Sequence, residues 1–313
     1  MFHSVTRKPS HFFRLVFFLT VYVLVALGCR PQKGEETKVS PEILSQPQRI
    51  ISFAPNITET VFALGCGDRL VGVTDFCDYP PEVATIKRVG GHINPDLETV
   101  AMLKPDLIFV QGLHEKVATF AEQNHIPIVR VNMDTLDTID EGIRIIGETL
   151  HRKEEADQLR SRIQSELAAL RKETEQLPKL RVLVITTRLT HDMNNLYTLG
   201  GASFISELLE IAGGENIFHD AHQAYLEASK ESVVARAPEV IIEFHAGEKL
   251  SEEDQQRFRE DWQTFASLPA VQQNRIYLVM ESHALRPGPR IAEIARILAR
   301  CLHPERFTAA ERS

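Results

Sequence analysis

Glu98-Thr99-Val100-Ala101-Met102-Leu103-Lys104-Pro105-Asp106-Leu107-Ile108 recurs later in the chain as Glu231-Ser232-Val233-Val234-Ala235-Arg236-Ala237-Pro238-Glu239-Val240-Ile241, with the proline seven residues after the glutamate in both copies. Proline cannot continue a helix and pushes the residue before it towards extended backbone. Each copy therefore reads as a short helix that stops at its proline and passes directly into an apolar strand. A second pair lies upstream of each copy. Thr58-Glu59-Thr60-Val61-Phe62-Ala63-Leu64-Gly65 matches Ser206-Glu207-Leu208-Leu209-Glu210-Ile211-Ala212-Gly213, two short helices stopped by a glycine six residues after the glutamate. Ahead of these, Arg49-Ile50-Ile51-Ser52-Phe53 and Arg181-Val182-Leu183-Val184-Ile185 are β-branched runs suited to strands. One helix-and-strand unit used twice predicts an α/β fold of two lobes, each with a central, mostly parallel sheet flanked by helices.

Between the repeats, Glu148 to Leu177 contains neither Gly nor Pro, and Ala156, Leu159, Ile163, Leu167, Leu170 and Leu177 fall at helical spacing. This predicts one long, rigid interdomain helix. At about 1.5 Å per residue it extends about 30 Å from Ala156 to Leu177, a stiff rod that allows rocking more readily than wide hinging. The organisation that follows is an N-terminal lobe over 48–152, the linking helix over 153–177 and a C-terminal lobe over 178–308.

The first 28 residues are of another kind. Arg7, Lys8 and Arg14 precede an uncharged apolar run from Leu15 to Leu27, which reads as a signal peptide for export over 1–28. The run is shorter than the roughly 20 residues that span a bilayer comfortably, which favours a cleaved signal over an uncleaved helix. Val25-Ala26-Leu27-Gly28-Cys29 resembles a bacterial lipobox, with Ala26 where Leu is commonest; the resemblance implies that Cys29 is the lipidated first residue of the mature protein. Residues 29–47 then form a polar, Pro-containing tether. Of the remaining cysteines, Cys66 and Cys77 either close a short loop as a disulfide or stay as buried thiols, and Cys301 is left over.

Lys+Arg 35 against Asp+Glu 43 gives a net charge of −8, with no long basic run, so nucleic acid is not a partner this chain is built to attract. Enzyme signatures are also missing. No G-x-S-x-G elbow, G-x-x-x-x-G-K-[ST] loop or H-E-x-x-H helix occurs. Gly65-Cys66-Gly67 imitates the start of a dinucleotide fingerprint, but Leu70 holds the third glycine position and the segment follows a helix, so it reads as a helix C-cap. His219 and His222 flank a polar loop without a further ligand, and His114, His125, His151 and His303 read as dispersed surface residues, so no metal site is expected.

Several segments in this order carry a family resemblance: Ser52-Phe53-Ala54-Pro55-Asn56-Ile57-Thr58-Glu59, Cys77-Asp78-Tyr79-Pro80-Pro81-Glu82, Asn94-Pro95-Asp96-Leu97-Glu98, Gly213-Gly214-Glu215-Asn216-Ile217-Phe218 and Arg286-Pro287-Gly288-Pro289-Arg290-Ile291. Together they resemble the substrate-binding proteins of bacterial ABC importers for cobalamin, haem and ferric siderophores, most of all the cobalamin-binding members. The resemblance implies a non-enzymatic, membrane-anchored lipoprotein at the periplasm or cell surface. It would take up a metal-chelate small molecule between its lobes and hand it to a permease dimer with ATPase subunits. The ligand is transported and no resident cofactor is implied: a cobalamin-type corrinoid first, haem or a ferric siderophore as the alternative. A periplasmic enzyme on the same scaffold is the competing class.

By the same resemblance, Glu98 and Glu231 are the carboxylates that meet the permease, each also suited to a helix start after Asn94 or Ser229 as N-cap. Phe76, Tyr197 and Tyr225 become aromatic walls of the cleft and Arg286 a polar contact, while Arg88 and Arg188 are further candidate cations. His92 stands where a cobalamin-binding protein can carry Trp. An imidazole coordinates iron or cobalt and an indole does not, although a loop histidine after Gly90-Gly91 serves equally as a hydrogen-bonding group.

Overall fold

The structure, a computed structural model, describes residues 46–189 and 192–306. The signal peptide, Cys29 and nearly all of the tether lie outside the described residues. The first half runs β1 (Ile50–Ser52), α1 (Pro55–Ala63), β2 (Leu70–Val73), β3 (Lys87–Arg88), α2 (Leu97–Leu103), β4 (Leu107–Gln111), α3 (Glu115–Gln123), β5 (Ile128–Val131) and α4 (Leu136–Thr149). Its sheet has the order β3-β2-β1-β4-β5 and every pairing is parallel. Ile50 to Ser52 and Leu107 to Val110 are buried without alternation, as strands covered by helices on both faces must be.

After α5 (Lys153–Thr174) the second half runs β6 (Leu180–Thr187), β7 (Leu196–Leu199), α6 (Phe204–Ile211), β8 (Gly214–Asn216), β9 (Tyr225–Ala228), α7 (Lys230–Arg236), β10 (Val240–Phe244), α8 (Glu252–Asp261), α9 (Pro269–Gln272), β11 (Ile276–Val279) and α10 (Ile291–Leu302). Its parallel part, β11-β10-β6 with β8 on the far edge of β6, repeats β5-β4-β1 with β2 on the far edge of β1. An antiparallel addition departs from the repeat. β7 pairs the end of β6 and β9 pairs β7, so the second sheet is mixed.

The repeat extends to single hydrogen bonds. Arg49 donates to the carbonyls of Leu103 and Lys104 at the end of α2, and Arg181 donates to the carbonyl of Ala237 at the end of α7. Lys104 and Ala237 both take a left-handed conformation (φ 46° and 40°) ahead of their prolines. The Asp106 carboxylate receives the Arg49 N–H (2.9 Å), and the Glu239 carboxylate receives the Arg181 N–H (2.9 Å). In each lobe an arginine at the start of the central strand therefore closes the carbonyl end of the glutamate-bearing helix.

The long helix buries Ala156, Leu159, Ile163, Leu167, Leu170 and Thr174 along one stripe, and packs on α4 from the first half and on α6 and α10 from the second. Glu154 and Glu155 at its start and Arg171 and Lys172 in its last turn complement the helix dipole. Although no Gly or Pro separates it from α4, the chain breaks at His151, which is left-handed (φ 57°). The Arg152 N–H then bonds the Gly147 carbonyl (2.7 Å) and α5 folds back on α4. A Cβ on Gly147 would lie 2.3 Å from the Ala156 Cβ, so the crossing needs glycine there.

The structure holds Cys66 and Cys77 as separate buried thiols, not as a disulfide. Cys66 precedes β2 and Cys77 follows it, so the strand holds them at its opposite ends. Four strand residues alone span about 13 Å, beyond the reach of a disulfide. Each has its own polar contacts: the Cys77 Sγ lies 3.2 Å from the Thr58 hydroxyl and 3.1 Å from that of Thr74. Among the described residues, no helix is long and apolar enough to cross a membrane.

Candidate functional site

In a parallel sheet all strands end on the same side, and the loops that leave those ends collect the candidate residues. A pocket of about 330 Å³ lies where the first lobe meets the segment ahead of α10. Its first wall is Phe53 to Asn56, from the end of β1 into the first turn of α1, with Thr74 and Phe76 after β2, His92 after β3 and Gln111 at the end of β4. Leu285, Arg286 and Pro287 of the second half close it. Phe76 is 67% exposed, held over Gly91, where a Cβ would lie 2.9 Å from its ring. A larger cavity of about 830 Å³ runs beside α5, but its lining carries no aromatic residue and its Arg160 is already paired with Asp140 at 2.5 Å. It lacks the features of a macrocycle site.

Of the five residues that the resemblance assigned to the cleft, the pocket brings together Phe76, His92 and Arg286. Tyr197 and Tyr225 are not in its lining. They stand on the antiparallel pair β7/β9, where Tyr197 faces Glu227 and Tyr225 lies two residues further along the same face. Both are exposed, and so is Leu189 after β6. Exposed large apolar side chains thus gather at strand ends and loops in both lobes. The exceptions, Met102 and Val234, sit on α2 and α7, the helices of Glu98 and Glu231.

The three candidate cations are all engaged by the protein. Arg88 donates to the carbonyls of Thr74 (2.9 Å) and Cys77 (2.7 Å), shaping the Phe76 loop. Arg188 is not a cleft residue at all. Its side chain is fully buried against Glu243 (2.7 Å), Asp261 (2.8 Å) and the Phe258 ring. Arg286 pairs with Asp78 and with Glu59 (3.2 Å). The Arg286 hydrogen bond, opposed by partial burial, holds the Asp78 carboxyl below the ordinary carboxylate range.

His114, read from the sequence as a surface residue, is 3% exposed, and His303 is buried too. His114 occupies the N-cap position of α3, with its ring edge-on to Phe53 at 5.1 Å and tilted against His92 at 4.3 Å. Its Nε2 has no hydrogen-bond partner. Burial, and then the neighbouring His92, lower its pKa to about 4, so it is a neutral ring at pH 7 backing His92. Nothing local marks it, because its burial comes from β1 and from the loop after β3. Phe53 and Asn56 line the pocket although only their motif, not their role, was legible. Among the described residues no three His, Cys, Asp or Glu side chains cluster as a metal site.

Glu98 and Glu231 both occupy the second position of a seven-residue helix, and both are exposed. The N-cap of α2 is Asp96, which accepts the Thr99 N–H (3.0 Å), not Asn94, whose backbone carbonyl is taken by Gly91. Ser229 caps α7 as expected, through the Ser232 N–H (3.2 Å).

Comparison with known proteins adds a family match, a relative and two solved structures. Residues 50–282 match the family model described as periplasmic binding protein. The vitamin B12-binding protein of Pectobacterium carotovorum is 32% identical over 253 residues, covering 78% of this chain and 84% of that protein. Among solved structures, the periplasmic vitamin B12 binding protein of Vibrio cholerae superposes with a TM-score of 0.70 at 27% identity, covering 84% of this chain and 99% of that one. A periplasmic solute-binding protein of Staphylococcus epidermidis gives 0.72 at 26%, covering 83% and 100%.

Proposed function

The chain belongs to the periplasmic binding protein family, and we propose that it captures a cobalamin-type corrinoid in the interlobe cleft and delivers it to the permease dimer of an ABC importer. Members of this family bind solutes for transport. The observation that carries the corrinoid reading is Phe76, 67% exposed over a pocket whose nearest cation, Arg286, is already matched by Glu59 and Asp78. An apolar face with a few fixed polar groups suits a large macrocycle with a rim of neutral amides. A polyanionic ferric siderophore would call for cations that protein carboxylates have not already taken. Tyr197 and Tyr225 supply the facing aromatic surface from the second lobe.

Haem is the second reading, and His92 is what favours it. The ring lines the pocket with the neutral His114 ring behind it, and a neutral imidazole can donate a nitrogen lone pair to iron. With a corrinoid, His92 hydrogen-bonds a peripheral amide. Glu98 and Glu231, exposed at equivalent positions, meet the permease as a matched pair of carboxylates, and charge complementarity there guides encounter and register. Cys29 carries the lipid that anchors the protein, with residues 29–47 as tether, placing it at the periplasmic or outer cell surface.

The test is to mix the protein with cyanocobalamin, haemin and a ferric siderophore in turn, following absorption spectra and thermal midpoint. A ligand that binds only the folded state adds about 2.7 kcal/mol of stability at a hundredfold excess over Kd. Stabilisation by cyanocobalamin, recovered chemically unchanged, is the expected result. Stabilisation by haemin alone, with a Soret band that His92→Ala shifts, would transfer the site to haem. Indifference to both tetrapyrroles would refute the reading, and a chemically altered ligand would turn it towards an enzyme.

A further inference from the structure

The first repeated helix pair, Glu59 before Gly65 and Glu207 before Gly213, has no part in the docking just described. In the structure both glycines are left-handed (φ 71° and 85°), so α1 and α6 end in the same way. Both glutamates reach across to the other half of the chain. Glu59, only 3% exposed, accepts from Arg290 through both oxygens, at 2.8 and 2.6 Å, and from Arg286 at 3.2 Å. Glu207 accepts the N–H of Leu136, the first residue of α4, at 2.6 Å, and one turn earlier the Phe204 N–H donates to the Asp134 carbonyl at 2.8 Å.

We propose that Glu59 and Glu207 are positioning residues, a duplicated pair of interlobe latches that fix the orientation of the two lobes and thereby the spacing of Glu98 and Glu231. The last clause rests on the docking role given to those two residues; the latch itself does not.

A long helix packed on both halves leaves them free to twist about its axis, and apolar contact between them would be non-directional. A two-pronged guanidinium–carboxylate pair specifies angle as well as distance. A carboxylate buried as deeply as Glu59 persists only where its charge is matched, so the lobes keep the arrangement that supplies both arginines. At α4 the Leu136 N–H is one of the unpaired donors of a helix start, and the Glu207 carboxylate caps it from the other lobe. The two latches differ in one respect. Arg286 also lines the cleft pocket, so Glu59 holds a cleft residue in place, and Glu207 does not.

Spin labels on Met102→Cys and Ala235→Cys, exposed matching positions on α2 and α7, read the lobe spacing by electron–electron double resonance, with Cys29 and Cys301 replaced by Ser. No ligand or permease is present. A narrow distance distribution is expected with Glu59 and Glu207 intact, and a width roughly doubled or more in Glu59→Gln with Glu207→Gln. Leu136→Pro tests the second latch from its other side. It deletes the donor at a first helical position, where proline is accepted, after Thr135 in extended backbone (φ −126°, ψ 166°). It should reproduce the broadening of Glu207→Gln. Arg290→Lys, which keeps the charge and loses the fork, should broaden the distribution as Glu59→Gln does.

Cyanocobalamin affinity separates the two latches: roughly tenfold weaker in Glu59→Gln, the scale of a lost charged hydrogen bond, and weakened less in Glu207→Gln, which loosens the lobes without releasing a lining residue. Unaltered distances in the double variant, or in both Leu136→Pro and Arg290→Lys, overturn the proposal. If the parent protein ignores cyanocobalamin, the ligand reading fails and the distance result still decides the latch.

Discussion

His114→Phe should make the protein less sensitive to mild acid. The ring is 3% exposed between Phe53 and His92, its Nε2 bonds nothing, and its pKa lies near 4 against an ordinary 6.5, chiefly through burial. A depressed histidine pKa means that the unfolded chain takes up the proton first. The stabilisation is complete above pH 6.5 and is lost as pH falls from there towards 4. At pH 5 the unfolded imidazole is favoured by protonation about 30-fold, the folded one hardly at all, which amounts to roughly 2 kcal/mol lost between pH 7 and 5. Phenylalanine keeps the ring packing and removes the proton site, so stability at pH 7 should change little. Urea unfolding at both pH values reads the effect. The native protein should lose about 2 kcal/mol more than His114→Phe, and equal losses in the two proteins would refute the buried, neutral imidazole.

Three further outcomes follow from the site. Phe76→Ala should weaken cyanocobalamin binding roughly tenfold or more, the scale of a lost aromatic contact, and leave the thermal midpoint of the free protein within a degree or two, because the ring is mostly outside the core; a large drop in midpoint would make Phe76 a packing residue. Glu98→Ala with Glu231→Ala should preserve ligand affinity and abolish transport in vesicles carrying the importer, and weakened ligand binding with normal docking would place these residues in the wrong site. Cys29→Ser should move the protein from the membrane to the soluble fraction, whereas a mature N-terminus beyond Cys29 would exclude the lipid anchor.

What the sequence shows of this molecule is whatever repeats locally. The glutamate-to-proline spacing of Glu98–Pro105 and Glu231–Pro238 marks the helix-and-strand unit, because a proline acts on its immediate neighbours and leaves a readable stop. The antiparallel β7/β9 pair escapes such a reading. Its strands lie on either side of α6 and β8, so their pairing is not a local event. His151 ends a helix without a glycine, and nothing within a turn of it announces this. Cys66 and Cys77 are near in sequence, but a strand between them keeps them apart, and spacing alone does not reveal that. Arg286 looks like an open cleft cation until its partners are known, and these lie 208 and 227 residues away.

The pairing of Arg286 sets the chemistry of the cleft. An unpaired arginine in a pocket attracts anions; one held by two carboxylates presents a nearly neutral, oriented set of N–H groups and leaves selection to the surfaces around it. In this chain those surfaces are Phe76, His92 and the Phe53 loop. The carboxylate that neutralises Arg286, Glu59, belongs to a helix whose counterpart carries Glu207, also bonded across the lobes. Duplication therefore supplied each lobe with one glutamate facing solvent near a helix start and another turned to the opposite lobe. A rigid pair of lobes is what outward carboxylates require if they are to meet two fixed partners at once. If Glu59 and Glu207 latch the lobes in this way, the cleft cannot open widely, and it favours flat ligands gripped by their faces over ligands that must be enclosed.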